Sequence, residues 1–290
     1  MNFLDFVRAH GILIQHMPRA GQWMRYPTAD HPKTRNGAVK WMGAVGFVQN
    51  HATQTEVSVW HSDGETTVSV QLIRQADREI ADGQRKAAET AKWILDQCQH
   101  GKHDYLKAKG FPDEQGYVYV KDGVQLLAIP MWLGRILAGV QLIDPAGQKK
   151  FLKGQRTSKC EFIFNNNGPH YLCEGYATAL SLRHILKSLK KTYTIHVCFS
   201  AGNMAKVAEG LTGFVIADND ESKTGENTAR KIGWPYWMSD TVGEDLNDHM
   251  RRVGLFRAGQ NLSKILSKRP LTYCTPDEII RSPTVNRVGF

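Results

Sequence analysis

Two apolar runs in the second half of the chain stop at carboxylates. Tyr171-Leu172-Cys173 breaks into Glu174-Gly175, and Phe214-Val215-Ile216-Ala217 breaks into Asp218-Asn219-Asp220. Short apolar runs bounded by turn residues read as buried strands. Glu174 then stands at a strand's carboxyl end, with Gly175 allowing a tight turn into whatever follows. Asp218 and Asp220, two apart, project to the same side wherever the chain is extended. Carboxylates brought within about 4 Å repel by several kcal/mol per pair even at an effective dielectric near 20, so they take up protons or bind cations. Oxygen-only donors favour a hard ion, Mg²⁺ or Mn²⁺, over Zn²⁺. A further cluster, Glu244-Asp245-Leu246-Asn247-Asp248, follows one strand later and offers Asp245 as a fourth ligand.

Cations with matching chemistry lie elsewhere. Lys149, Lys150, Lys153 and Arg156 fall within eight residues, suited to a triphosphate or a strand backbone. Asn203 follows Gly202 in a loop expected to face the same cleft, where it would orient a nucleotide or cap a helix beginning at Ala205. Arg25, Lys33, Arg35 and Lys40 interleave with Trp23, Trp41 and Trp60. That mixture would hold single-stranded DNA by charge and stacking, or its tryptophans would fill a core.

The elements that must position these groups follow from the hydrophobic pattern. After about residue 159, apolar runs alternate with amphipathic stretches: strands at 171–173, 194–199 and 214–217, helices at 177–189, 205–211 and from about Gly225. Such alternation predicts an α/β fold with a parallel sheet covered on both faces, and in such sheets ligands bind outside the carboxyl ends of the strands. Residues 117–152 read instead as a strand meander. Within it, residues 124–143 have the length of a membrane span, but Gln125, Pro130, Gly134, Arg135 and Gln141 interrupt them, and Leu133-Gly134-Arg135 predicts the turn of a hairpin. Residues 73–100 have helical spacing with a break at Asp82-Gly83. The first 70 residues are mixed, with a short amphipathic helix at the start and strands expected at 56–60 and 67–72. A helix is expected over 255–267.

The chain of 290 residues is 41% hydrophobic and 22% charged, with 26 Gly and 11 Pro, which excludes collagen-like and disordered classes. Its five cysteines show no paired spacing, and the start lacks the order of a signal peptide, so a reducing, cytoplasmic location without membrane partners is expected. Net charge +9 points to a polyanionic partner. That charge is uneven. Residues 1–158 carry 20 basic and 15 acidic residues, 159–250 carry 9 and 11, and 251–290 carry 8 and 2. The predicted organisation is therefore a basic α+β region over 1–158, an acidic metal-binding domain over 159–250, and a basic C-terminal helix and tail over 251–290, whose cations include Arg251, Arg252, Arg257, Lys264, Lys268 and Arg269.

Tyr171-Leu172-Cys173-Glu174-Gly175-Tyr176-Ala177-Thr178-Ala179, Ser200-Ala201-Gly202-Asn203, Val215-Ile216-Ala217-Asp218-Asn219-Asp220 and Glu244-Asp245-Leu246-Asn247-Asp248 together resemble the successive motifs of the Toprim fold, in the variant of phage and conjugative-plasmid primases. The likeness covers roughly residues 103–250, with looser matches over 19–60. It implies that Glu174, Asp218 and Asp220 are catalytic and hold Mg²⁺ or Mn²⁺, with Asp245 helping to hold a second ion. It further implies template-directed synthesis of short RNA primers on single-stranded DNA from nucleoside triphosphates, in a bacterial host cytoplasm. The zinc ribbon that opens many such primases has no counterpart in the cysteine spacing, so no zinc is expected, and no Gly-x-x-x-x-Gly-Lys-Ser/Thr motif is present. Template selection and a replicative helicase would come from another chain. The same carboxylates would also serve a Toprim nuclease, and a non-catalytic nucleic-acid-binding accessory would keep the fold alone.

Overall fold

The computed structural model describes residues 1–54, 56–62 and 66–267. It is a mixed α/β structure whose described strands form three sheets. The first follows a short helix, α1 (Phe3–Ala9), and is antiparallel in chain order: β1 (Met24–Tyr26), β2 (Gly37–Trp41), β3 (Val45–Asn50) and β4 (Ser58–His61). Asn2 starts α1 by accepting from the Asp5 backbone N–H. Phe3 and Val7, one turn apart, bury against Ile12, Val39 and Val48. Gly46 makes room for that packing, because a Cβ there would lie 2.0 Å from the Phe3 ring.

A long helix, α2 (Thr66–Asp96), follows. The strand expected at 67–72 is instead its opening turns. Apolar Val68, Val70 and Leu72 alternate as in a strand, but a stretch this short fits either period, and here it continues into a 31-residue helix. The Asp82-Gly83 break is also absent, since Gly83 lies inside the helix where Gly154 passes; a Cβ on Gly83 would sit 3.8 Å from the Gly154 Cα.

The second sheet is an antiparallel meander in chain order: β5 (Gln99–Gly101), then after α3 (Asp104–Ala108), β6 (Gly116–Lys121), β7 (Val124–Leu133), β8 (Ile136–Ile143) and β9 (Lys149–Phe151). The twenty apolar residues fold back as β7 and β8, with Leu133 opposite Ile136 and Gly134 in the left-handed region at φ 58°. Among the described residues no helix is long and apolar enough to cross a membrane.

The third sheet comprises β10 (Phe162–Asn165), β11 (His170–Cys173), β12 (Thr194–Val197), β13 (Gly213–Ala217) and β14 (Tyr236–Met238), in the order β10-β12-β11-β13-β14. The last four are mutually parallel, and β10 is an antiparallel edge that the sequence did not announce. Helices α4 (Tyr176–Ser188), α5 (Ala201–Val207) and α6 (Thr224–Ile232) make the crossovers, and α7 (Leu246–Val253) and α8 (Leu255–Leu266) close the described chain. Strand residues alternate between two buried faces. Tyr171, Cys173, Ile195, Val197, Phe214 and Ile216 share a core with α4 and α8, whereas Leu172, Val215 and Ala217 pack with Met204 of α5 and Ala229 of α6. The C-terminal helix agrees with the expected span; Lys268, Arg269 and the remaining tail lie outside the described residues.

Candidate metal centre

Chain reversal within the third sheet creates the site. Strands β11 and β13 are neighbours, with Cys173 opposite Ile216. The helix after β11 covers one face and the helix after β13 covers the other. Adjacent parallel strands that send their helices to opposite faces leave a crevice at their carboxyl ends. Glu174 and Asp218 are the first residues beyond those two ends. The turn out of β13 depends on Gly225 in the first turn of α6: a Cβ there would lie 2.5 Å from the Asp218 carbonyl oxygen.

The carboxylates act on one another. Both Glu174 and Asp218 keep some solvent contact, yet enough protein surrounds them that burial dominates their protonation. Glu174 is pushed above the usual carboxyl range by burial, and Asp220 adds to the shift while Lys149 and His31 oppose it. Asp218 is pushed well above its usual range by burial and then by Glu174 and Asp245, with Lys149 again opposing. Asp218 Oδ1 is buried without a hydrogen-bond partner. Among the described residues the Glu174 carboxylate likewise accepts no hydrogen bond.

The other two carboxylates are partly committed. Asp220 Oδ1 accepts from Ser222 Oγ at 2.5 Å and from the Thr224 backbone N–H at 3.3 Å. Asp245 caps α7, its Oδ1 accepting from the Asp248 N–H at 2.9 Å, while Oδ2 accepts from Thr178 Oγ1 at 3.4 Å. These bonds orient both side chains and leave Asp220 Oδ2 unengaged among the described residues. Ser222, Thr224, Thr178 and His31 escaped the sequence reading because their roles depend on neighbours brought in by the fold.

An all-oxygen donor set holding an orphaned, buried carboxylate oxygen fits a hard divalent ion. The strand ends are adjacent, but the oxygens of Glu174, Asp218 and Asp220 are not drawn within reach of a common ion. Among the described residues, the group whose ligand atoms all lie within 4.8 Å of one another is Asp240, Glu244 and His249. Arg252 already fills that group, donating to Glu244 from Nε at 2.6 Å and from Nη2 at 2.8 Å. With Ser239 Oγ donating at 2.7 Å as well, Glu244 is drawn down to about 2, and His249 falls below its usual range through burial and Arg252.

The remaining expected residues divide. Lys149 reaches the crevice, its Nζ 3.7 Å from where a Cβ on Gly175 would sit. Lys150 and Lys153 are exposed beside it, and Arg156 is half-buried with Nε donating to the Ser158 carbonyl at 3.2 Å. Asn203 is not free to hold a nucleotide. Its Nδ2 donates to the carbonyls of Cys160 and Cys198 at 2.7 and 2.8 Å, and its Oδ1 accepts from the Lys159 N–H at 2.7 Å. Nor does it cap a helix; Ser200 caps α5, which therefore begins at Ala201 rather than Ala205.

Arg25, Lys33 and Arg35 are exposed. Lys40, expected on DNA, is buried, with Nζ donating to Glu79 Oε2 at 2.5 Å. Trp41 is half-buried against the α1 core, its Nε1 donating to the Gly43 carbonyl at 3.1 Å.

No family model matches the chain, and no curated protein is similar to it. Among solved structures, a chain from the bacteriophage T7 lagging-strand DNA polymerase interacting with primase domains bound to an RNA/DNA hybrid and dTTP aligns with a TM-score of 0.41 and 11% identity, covering 59% of this chain and 92% of that one. At that level the likeness fixes neither fold family nor activity.

Proposed function

We propose that the protein is a primase-type nucleotidyltransferase of phage or plasmid replication, in which residues 159–250 form a Toprim metal domain, 1–158 a basic template-holding region and 251–290 a basic helix and tail. The observation that carries this is that Glu174 and Asp218 leave the carboxyl ends of two adjacent parallel strands, with Asp218 Oδ1 buried and unpartnered.

Glu174, Asp218 and Asp220, whose oxygens do not yet converge, would be drawn together around Mg²⁺ or Mn²⁺ when it binds, with Asp245 beside them. A bound ion of this kind neutralises triphosphate charge and lowers the pKa of an attacking hydroxyl. The chain's own residues do the rest. Lys149, already countering Glu174 and Asp218, would meet the triphosphate, while the exposed Lys150 and Lys153 would add cationic charge to the surrounding surface. Ser222 and the Thr224 N–H keep Asp220 aimed at the crevice. Arg25, Lys33 and Arg35 would track the backbone of a single-stranded template. Phosphoryl transfer is mainly positioning and charge neutralisation, which this arrangement supplies. A separate replicative helicase is the natural partner, and a bacterial cytoplasm the natural location.

Incubation with single-stranded DNA, Mg²⁺ or Mn²⁺ and labelled nucleoside triphosphates tests the proposal. Template-dependent oligoribonucleotides are expected, lost when Asp218→Ala and Asp220→Ala are combined. Fragmented DNA in place of product would make the protein a nuclease, and binding with neither outcome would make it an accessory.

A further inference from the structure

Beside the first two turns of α4, the meander and the edge strand β10 flank a half-open cavity of about 500 Å³ whose lining includes neither Glu174 nor Asp218. One wall is aromatic. Phe162 and Phe164 of β10 stand edge to face, with centroids 5.1 Å apart, and Tyr176 lies 5.8 and 5.7 Å from them. Tyr176 is only 4% exposed and lines the cavity, yet among the described residues its hydroxyl has no hydrogen-bond partner. A phenolic hydroxyl can donate to a ligand or accept from it.

The cavity's charges are already spent. Arg183 lies over the Phe164 ring, 4.6 Å from its centroid, and pairs with Glu114. Asp113 pairs with Lys102 at 2.9 Å. Among the described lining residues Arg183 is the one permanent cation and is already paired, His100 Nδ1 is bonded to Gln115 Oε1 at 3.1 Å, and the two carboxylates would repel a phosphate. A ligand seated here is therefore neutral and flat, with polar edges for the Tyr176 hydroxyl and the Gln115 Nε2, whose Oε1 is bonded to His100.

We propose that this cavity takes an unpaired nucleobase, stacked on the Phe162–Phe164–Tyr176 wall, while its sugar and phosphates remain outside. The inference rests on the nucleic-acid reading above and adds to it a base-holding slot separate from the metal centre. Stacking of a base on aromatic side chains is worth about 1–3 kcal/mol and needs no sequence match. The base would come from a single strand or from a free nucleotide, two sources with the same ring chemistry.

Photo-cross-linking separates them. The full chain, without divalent ions, is irradiated with an oligodeoxynucleotide carrying 5-iododeoxyuridine or with 5-iodouridine triphosphate, and the adducts are mapped by mass spectrometry. Adducts on Phe162, Phe164 or Tyr176 are expected, and Phe164→Leu should lower their yield about tenfold through lost stacking. The probe that cross-links identifies the source. Adducts confined to other residues, or none with either probe, would overturn the slot, and primer synthesis by such a protein would leave the metal-centre reading intact. Adducts in the slot of a protein that makes no primers would do the reverse.

Discussion

Asp218 carries the largest electrostatic burden in the crevice, and its substitution should show that burden directly. Its carboxyl titrates well above 3.8, its ordinary value, so the folded chain holds that proton more tightly than the unfolded one. Without metal, the stability of the protein should therefore fall as pH rises through the window above 3.8, and above the folded pKa the full cost is present. Asp218→Asn removes the charge, so at pH 7.5 without divalent ions it should melt a few degrees higher than the parent. A lower melting temperature would contradict the electrostatic cost assigned to the Asp218 carboxylate. Lys149 makes a complementary prediction. Because its ammonium faces both Glu174 and Asp218, Lys149→Met should weaken nucleoside triphosphate binding about tenfold, roughly 1.4 kcal/mol, and Lys150→Met less; equal effects would remove Lys149 from the crevice.

At the scale of elements, the crevice depends on how closely α6 approaches the end of β13. Gly225→Ala would place a methyl group 2.5 Å from the Asp218 carbonyl oxygen. Alanine is the better helix former by about 1 kcal/mol, so propensity alone predicts stabilisation. The close approach predicts instead a loss of about 1–3 kcal/mol in urea unfolding, with impaired metal binding because the strand end shifts. The alternation that builds this region was legible in the sequence, because buried strands read as apolar runs and each run here stops at a carboxylate or a turn. What was not legible is what neighbours decide. Asn203 looks like a loop ligand until three backbone groups from other segments occupy its amide. Lys40 looks like a surface cation until Glu79, from a helix far along the chain, closes over it. The 67–72 segment alternates like a strand, yet it is the start of a helix.

For the whole molecule, the uneven charge predicts how nucleic acid binds. Exposed Arg25, Lys33 and Arg35 should contribute to single-stranded DNA affinity through counterion release. Removing all three should reduce the slope of log affinity against log salt by about 2, at roughly 0.7 per phosphate contact. Lys40→Met should leave that slope unchanged, since Lys40 is buried and bonded to Glu79. The reverse pattern would place the DNA path elsewhere. All of these outcomes are secondary to whether strand ends 174 and 218 hold an ion at all. Titration of the metal-free protein with Mn²⁺, followed by loss of the free-ion paramagnetic resonance signal, measures that directly. Saturable Mn²⁺ binding is expected, disappearing in the combined Asp218→Asn, Asp220→Asn variant and persisting in Asp240→Asn. Undiminished binding in the first variant, or its loss in the second, would contradict an ion held at those strand ends.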